Sequence, residues 1–303
     1  MLTVLFATHN GVRTLPDVLE AYLRLRTPSG GWRLVSVDNA STDGTSAVLA
    51  GFSARLPLTV RQEPRLGKNG ALNAALDLVD GDLAVFTDDD VFPHPDWLVR
   101  LRQAADDHPD YSVFGGTVLP RWESPPPSWV LDDVPLGPAF TLTGDLPEGP
   151  TTAHTVFGPN MAVRSAVFAA GTRFDTRIGP RGTDYAMGSE TELVRRLLAS
   201  GHQAWHVPAA QVEHFIRTGQ LDPEWIVRRA VRFGRGQYRL DPDAASPRWA
   251  GAPRWMWKDL IVKGLRAAGR SLRSDRRGFV RARWELAYRW GQVVEARALQ
   301  GDR

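Results

Sequence analysis

The sequence predicts an α/β protein, strands alternating with helices around one sheet, followed by a helical extension at the C-terminal end. Three observations carry this. Apolar runs at residues 2–7, 32–37 and 83–86 each lead into a polar loop. Segments of helical periodicity separate those runs. After residue 214 the chain holds only long helical patterns, at 226–238, 255–272 and 278–299. Strand, helix, strand at this spacing builds a parallel sheet with right-handed crossovers.

The first run, 2–7, reads as a core strand, with Thr8-His9-Asn10-Gly11 as the loop at its end. Leu15, Val18, Leu19, Tyr22 and Leu23 then recur at helical spacing, with Thr14 placed as N-cap and Asp17 in the first turn. Residues 32–37 form a second strand. It ends in the polar stretch Asp38-Asn39-Ala40-Ser41-Thr42-Asp43-Gly44-Thr45, which feeds a helix through Leu49. A short strand at 58–60 precedes Gly67-Lys68-Asn69-Gly70, the opening of a helix carrying Leu72, Ala75, Leu76 and Val79.

Residues 83–86 and Thr87 lead into Asp88-Asp89-Asp90. A short apolar run of this kind is a buried strand, and its end delivers the acids to the carboxyl edge of the sheet, where open α/β folds bind ligands. Three adjacent carboxylates repel one another, so gathering them is of use chiefly around a cation. Magnesium and manganese take such hard oxygen ligands, and magnesium commonly shares them with substrate phosphates. The competing reading is an acidic loop on a solvated edge.

A helix is expected over 96–105 and a strand over 111–118. The sharpest break in composition is Glu123-Ser124-Pro125-Pro126-Pro127-Ser128, and loose proline- and glycine-rich sequence continues to about residue 150. Connections this long are more often functional or mobile than idle. Trp122 and Trp129 flank the prolines and are suited either to stack on a sugar ring or to fill a core. Order resumes at 155–163, with a helix at 165–170, a strong helix at 189–200 and a strand at 203–207.

The 303 residues include no cysteine, which excludes disulfides, thiolate metal sites and cysteine nucleophiles. An apolar share of 43% and a charged share of 23% are those of a soluble globular protein. No apolar run approaches the roughly 18 residues that span a bilayer, and no signal peptide is expected before the first strand. The net charge of +3 conceals an asymmetry. Residues 254–303 hold thirteen basic and five acidic side chains, a net +8 that leaves the rest at −5. In that tail Trp255, Trp257, Leu260, Ile261 and Leu265 alternate with Lys258, Lys263, Arg266, Arg270 and Arg273. Such a basic amphipathic helix either lies on a membrane surface or packs on the body with a solvated face. Nucleic acid is not expected as a partner, because no recognition module accompanies the charge.

Taken together in chain order, the motifs resemble the GT-A glycosyltransferases of the inverting family 2. Thr8-His9-Asn10 stands where that family has Pro-x-Tyr-Asn, and residues 37–45 are similar to its VDDGSTDGT segment. Phe86-Thr87-Asp88-Asp89-Asp90-Val91 resembles its DxD motif. Gly158-Pro159-Asn160-Met161-Ala162-Val163-Arg164 resembles GANMAFRR, Gly188-Ser189-Glu190-Thr191-Glu192-Leu193 resembles GEDxDL, and Val212-Glu213-His214 resembles the segment that closes the catalytic region.

The resemblance implies a Rossmann-like GT-A mixed sheet flanked by helices. It divides the chain into a nucleotide-sugar-binding half (1–120), an acceptor and catalytic-base half (121–240) and a basic amphipathic helical extension (241–303). It implies that Thr8, His9, Asn10 and Asp38 hold the nucleoside, and that Lys68 reaches the base or the phosphates. Asp88 and Asp89 flank the donor, with Asp88 on the ribose or the metal. Asp90 would bind a Mn2+ or Mg2+ ion on the diphosphate, with His214 a further ligand or a histidine bonded at a strand end. Glu190 aligns with the general base, and Glu192 is the alternative; Ser189 departs from the family's usual acid, and both glutamates replace aspartates. A helix N-cap with acids placed for the dipole explains the same residue types.

The implied activity is metal-dependent inverting transfer of a sugar from a nucleoside-diphosphate donor, UDP first, to a hydroxyl of a surface glycan, saccharide or lipid-linked acceptor. The expected location is cytoplasmic or peripheral on the cytoplasmic membrane face, with membrane contact through the C-terminal helices. Two other readings stand beside it: a catalytically inactive nucleotide-sugar binder or assembly protein, and a nucleotidyl or phosphoryl transferase using the same crevice.

Overall fold

The structure is a computed structural model that describes residues 1–182, 184–272 and 276–301, the side chains of 272, 276, 277 and 301 falling outside that description. Arg273 of the basic tail therefore lies outside the described residues.

The N-terminal half alternates as its apolar runs require. Strand β1 (Leu2–Thr8) is followed by α1 (Leu15–Tyr22), β2 (Trp32–Asp38), α2 (Thr45–Phe52), β3 (Leu58–Gln62), α3 (Lys68–Ala74) and β4 (Leu83–Phe86). Helix α1 buries Leu15, Val18, Leu19 and Tyr22, the stripe its spacing predicts. Thr14 occupies the N-cap position but makes no side-chain capping bond; Pro16 in the first turn leaves fewer amides to cap. Then come β5 (Val91–Pro93), α4 (Trp97–Asp107) and β6 (Val113–Trp122), four residues longer at its end than the sequence indicates.

The proline-rich stretch corrects the expectation of a loose loop. It carries two short helices, α5 (Ser128–Asp133) and α6 (Leu136–Phe140), before β7 (Gly149–Thr151). Val130, Ala139 and Phe140 are buried there, so a few apolar anchors order what the prolines and glycines interrupt. Next are β8 (Met161–Arg164), α7 (Ser165–Ala169), α8 (Ser189–Ala199) and β9 (Ala204–Ile216). Strand β9 continues nine residues past its expected end. Pro208 does not stop it, and burial alternates along its length as one face meets the core. Helix α9 (Pro223–Leu240), the hairpin β10 (Arg248–Trp249) and β11 (Ala252–Pro253), and helices α10 (Arg254–Leu272) and α11 (Arg276–Gly301) complete the chain. Among the described residues no helix is long and apolar enough to cross a membrane.

Strands β1 to β9 form one mixed sheet in the order β3-β2-β1-β4-β8-β6-β9-β5, with β7 added on β9, and β10 and β11 pair separately. The first four are parallel, whereas β8 runs antiparallel to both β4 and β6. The chain forms two compact units. One, comprising 1–121, 141–177 and 189–215, holds nearly all of the sheet and a core that includes Leu5, Val35, Phe86, Met161, Leu193 and Leu197. The other, comprising 122–140, 178–188 and 216–303, is helical, its centre formed by α9 against α11. There Gly234 lies against the Tyr288 carbonyl and Gly291 against that of Val231, so close that neither position has room for a Cβ.

Candidate active site

Register decides which loops meet. Strand β1 pairs in parallel with β2, placing Thr8 opposite Asp38, and with β4, placing Leu5 opposite Phe86. The polar loops after these strands therefore emerge at one edge of the first unit. The Asn39 amide donates to the Thr8 carbonyl at 2.8 Å, and the Thr8 hydroxyl donates to Asp89 Oδ2 at 2.5 Å, so all three loops are joined.

Asp38 is 1% exposed at the end of β2. Its carboxylate accepts from the Ser41 amide at 3.2 Å, from the Ser46 hydroxyl and from Gln62 Nε2 at 3.3 Å. Burial opposes its charge, but these hydrogen bonds outweigh burial and hold its pKa below the ordinary carboxylate value. It is thus a fixed anionic acceptor. His9 and Asn10 are exposed beside it; His9 Nδ1 lies 2.8 Å from the Asn39 carbonyl, and Asn10 Oδ1 accepts from the Thr42 amide at 2.8 Å. Gly11 is held close: a Cβ there would strike Thr8 Oγ1 and Asp89.

Two residues that sequence reasoning passed over do much of the positioning. Asn39, buried, donates to the carbonyls of Glu63 and Arg65 at 3.0 and 2.7 Å and accepts from the Gly67 amide at 2.8 Å. It fixes the turn that presents Lys68. Asn160, wholly buried, accepts from Trp97 Nε1 and donates to the Thr117 and Ala210 carbonyls, tying α4, β6 and β9 together. The hint for both was their place inside motifs already singled out.

Lys68, at the start of α3, forms the centre of the charged cluster. Its ammonium lies 2.6 Å from Asp88 Oδ1 and 2.9 Å from Glu190 Oε1, with about a fifth of each side chain exposed. Burial works against the charge, but the two carboxylates more than offset it and raise the lysine pKa above its ordinary value. Glu190 opens α8, whose first residue is the buried Ser189, with Gly188 before it at φ 106°. Gly158 touches the Glu190 carboxyl so closely that a Cβ would overlap it. Glu192, the alternative base, instead bonds Arg196 one turn along α8, at 2.5 and 3.0 Å. The two glutamates therefore have different partners.

Asp90 Oδ1 lies 3.6 Å from His214 Nε2, because β5 pairs with β9 and sets Val91 opposite His214. Among the described residues no group of three or more acids and histidines closes into a metal cage. A carboxylate and an imidazole suit two adjacent positions of an octahedral ion, about 3 Å apart for ligands at Mg2+ distances, once this pair closes by about 0.6 Å, the remaining positions suiting phosphate and water oxygens. Trp122, half-buried in the second unit, packs edge-on against Phe140 at 5.5 Å, and Trp129 is also half-buried.

Comparison with known proteins places this geometry in context. The glycosyl transferase family 2 model matches residues 3–171. A glucosyl-dolichyl phosphate glucuronosyltransferase of Haloferax volcanii is 24% identical over 191 residues, 61% of this chain and 59% of that protein. The chain thus matches less than two thirds of that relative's length. The succinoglycan biosynthesis protein ExoM of Rhizobium meliloti is 24% identical over 241 residues, 75% of this chain and 71% of its own. Among solved structures, mannosyltransferase PcManGT from Pyrobaculum calidifontis, in complex with GDP-Man and Mn2+, has a TM-score of 0.60 at 20% identity, covering 99% of this chain and 75% of that one. S. aureus TarS 1-349 in complex with UDP-GlcNAc has a TM-score of 0.54 at 16% identity, covering 99% and 92%. At these identities the likeness establishes the fold, which is GT-A. Matched by the family model over more than half of its length, the chain belongs to glycosyl transferase family 2.

Proposed function

We propose that this protein transfers a sugar from a nucleoside-diphosphate donor to an acceptor hydroxyl, inverting the anomeric carbon, with Glu190 as the general base. The observation that carries the reading is Lys68 bridging Asp88, after a donor-side strand, to Glu190, on the helix assigned to the base. One cluster thus joins the residues assigned to the leaving group and to proton removal. Thr8, His9, Asn10 and Asp38 bind the nucleoside, Asp38 accepting from it as a carboxylate kept ionised. Asp88 and Asp89 border the donor, and Lys68 moves onto its phosphates. Glu190 takes the acceptor proton, for which it must come within hydrogen-bond reach of that oxygen.

Asp90 and His214 would hold a Mn2+ or Mg2+ ion against the diphosphate. Such an ion supplies Lewis-acid stabilisation of the departing nucleotide. Residues 1–120 form the donor half, 121–240 contribute the acceptor side and 241–303 the basic extension. UDP is the donor placed first, and a glycan or lipid-linked saccharide the acceptor. A UDP-GlcNAc complex of TarS, a succinoglycan protein and a dolichyl-phosphate enzyme among the relatives support these choices. The location that accords with them is the cytoplasm or the cytoplasmic membrane face.

The test is a thermal-shift panel of UDP, GDP and their sugars, each with and without Mn2+, on the wild type and on Glu190→Gln. Manganese-dependent stabilisation by UDP in both proteins, with turnover lost only in the variant, is expected. No shift with any nucleotide would favour an assembly protein. Loss of donor binding in the variant would remove Glu190 from the role of base.

A further inference from the structure

Helix α10 exposes a face that the helical unit leaves uncovered. Arg254, Lys258, Ile261, Val262 and Leu265 follow one another at i, i+4, i+7, i+8 and i+11, so they share one side. Ile261, Val262 and Leu265 are 65%, 45% and 70% exposed, and Arg254, Lys258 and Arg266 are exposed with them. Trp255, 41% exposed, begins the same side. The sole acidic residue of α10, Asp259, turns instead toward α11, 2.5 Å from Arg289. The exposed face is therefore aliphatic and cationic, with a carboxylate only at its N-terminal end, where Asp243 accepts from Trp255 Nε1 at 2.8 Å.

Beside this face α10 and α11 enclose a cleft of about 330 Å³. Lys263, Arg266, Arg270 and Arg281 line it against one acid, Glu285. Glu285 lies 3.2 Å from Lys263 and 3.7 Å from Arg281, so a single carboxylate is shared by two of the four lining cations. An apolar stripe next to a cationic cleft suits an amphiphile whose anionic head and hydrocarbon lie a few ångströms apart.

We infer that α10 is a membrane-docking helix that seats on a bilayer containing anionic phospholipid. Leu265, Ile261 and Val262 enter the acyl boundary, Trp255 sits at the headgroup level, and the α10–α11 cleft receives a lipid phosphate. A second copy of the chain is disfavoured because two such faces would oppose like charges. A nucleic acid would cover the cations but leave three aliphatic side chains in water.

Vesicle flotation of the full-length protein tests this without any sugar transfer, so its result and that of the reaction are independent. The wild type is expected to float with phosphatidylcholine–phosphatidylglycerol vesicles, roughly three parts to one, and not with phosphatidylcholine alone. Since each basic residue near an anionic surface is worth about fivefold in partitioning, Lys258→Glu with Arg266→Glu should cost at least tenfold. Ile261→Ser with Leu265→Ser should also release the protein, both pairs melting as the wild type does. No flotation with the anionic vesicles, or equal flotation of all variants, would overturn the proposal. So would a duplex oligonucleotide displacing the protein from vesicles at stoichiometric concentration, or a dimer that Ile261→Ser with Leu265→Ser dissolves in place of vesicle binding.

Discussion

Lys68 and Glu190 stand 122 positions apart in sequence, yet the lysine ammonium lies 2.9 Å from the glutamate carboxylate. The glutamate oxygen that faces the ammonium is not open to an acceptor hydroxyl while this pair holds. In the proposed reaction, donor phosphates compete for Lys68, and its departure frees Glu190 once the donor is seated. Lys68→Met should therefore raise the donor KM and lower kcat together, each by roughly ten- to a hundredfold, the worth of a charged hydrogen bond. Initial-rate measurements with the donor varied check this. A change in kcat alone would confine the lysine to the chemical step, and no change in either would remove it from the mechanism.

Gly158 makes a narrower prediction. Its missing side chain leaves room for the Glu190 carboxyl, and a Cβ would overlap it. Gly158→Ala should displace the glutamate and lower kcat at least about tenfold, since a base must keep hydrogen-bond reach of its proton. Nucleotide affinity and melting temperature should stay near those of the wild type. A kcat left intact would show that the carboxyl adjusts, or that it does not act there.

His206 gives the fold a pH dependence. It is 1% exposed on β9, and burial holds its imidazole below the ordinary value of 6.5, against weaker upward pulls from the Gly115 backbone and the Glu148 carboxylate. The folded state keeps this ring neutral where the unfolded chain already binds a proton. Its contribution is therefore present above about pH 6.5 and is lost as pH falls below that value toward the folded pKa. Melting temperature recorded from pH 8 to 5 should fall less steeply for His206→Phe than for the wild type. Parallel curves would show that another group sets the slope.

The strands and loops of the donor side were legible because a short apolar run ending in polar residues has few structural meanings, and the parallel register then aligns the ends. Asp38 and the triplet from Asp88 to Asp90 sit at those ends. The resemblance ranked Glu190 over Glu192, but their partners were not legible, since both lie in the first turn of α8: Glu192 pairs with Arg196, four residues on, and Glu190 with Lys68, far away in sequence. Pro208 concealed the second half of β9, because a proline usually ends a central strand. The helices α5 and α6 were hidden for a similar reason: their few buried anchors stand among prolines and glycines that break periodicity.

Among the described residues of the second unit Glu295 is a wholly buried acid, and its removal should be costly. Glu295 of α11 accepts from Arg235 Nε at 2.8 Å and from Arg239 Nε at 2.6 Å, both on α9. Gly234 and Gly291 already bring the two helix backbones together, so the arginine stems have little room to swing toward water. Glu295→Gln keeps the shape and removes the charge, leaving Arg239 facing an amide and Arg235 with the exposed Asp184 as its carboxylate partner. Breaking a buried pair from one side costs about 3–5 kcal/mol, because the remaining charge is uncompensated. Urea denaturation followed by tryptophan fluorescence should show that loss, with nucleotide-induced stabilisation of the first unit's site retained. A loss below about 1 kcal/mol would mean that water reaches the arginines and that they behave as an exposed ion pair.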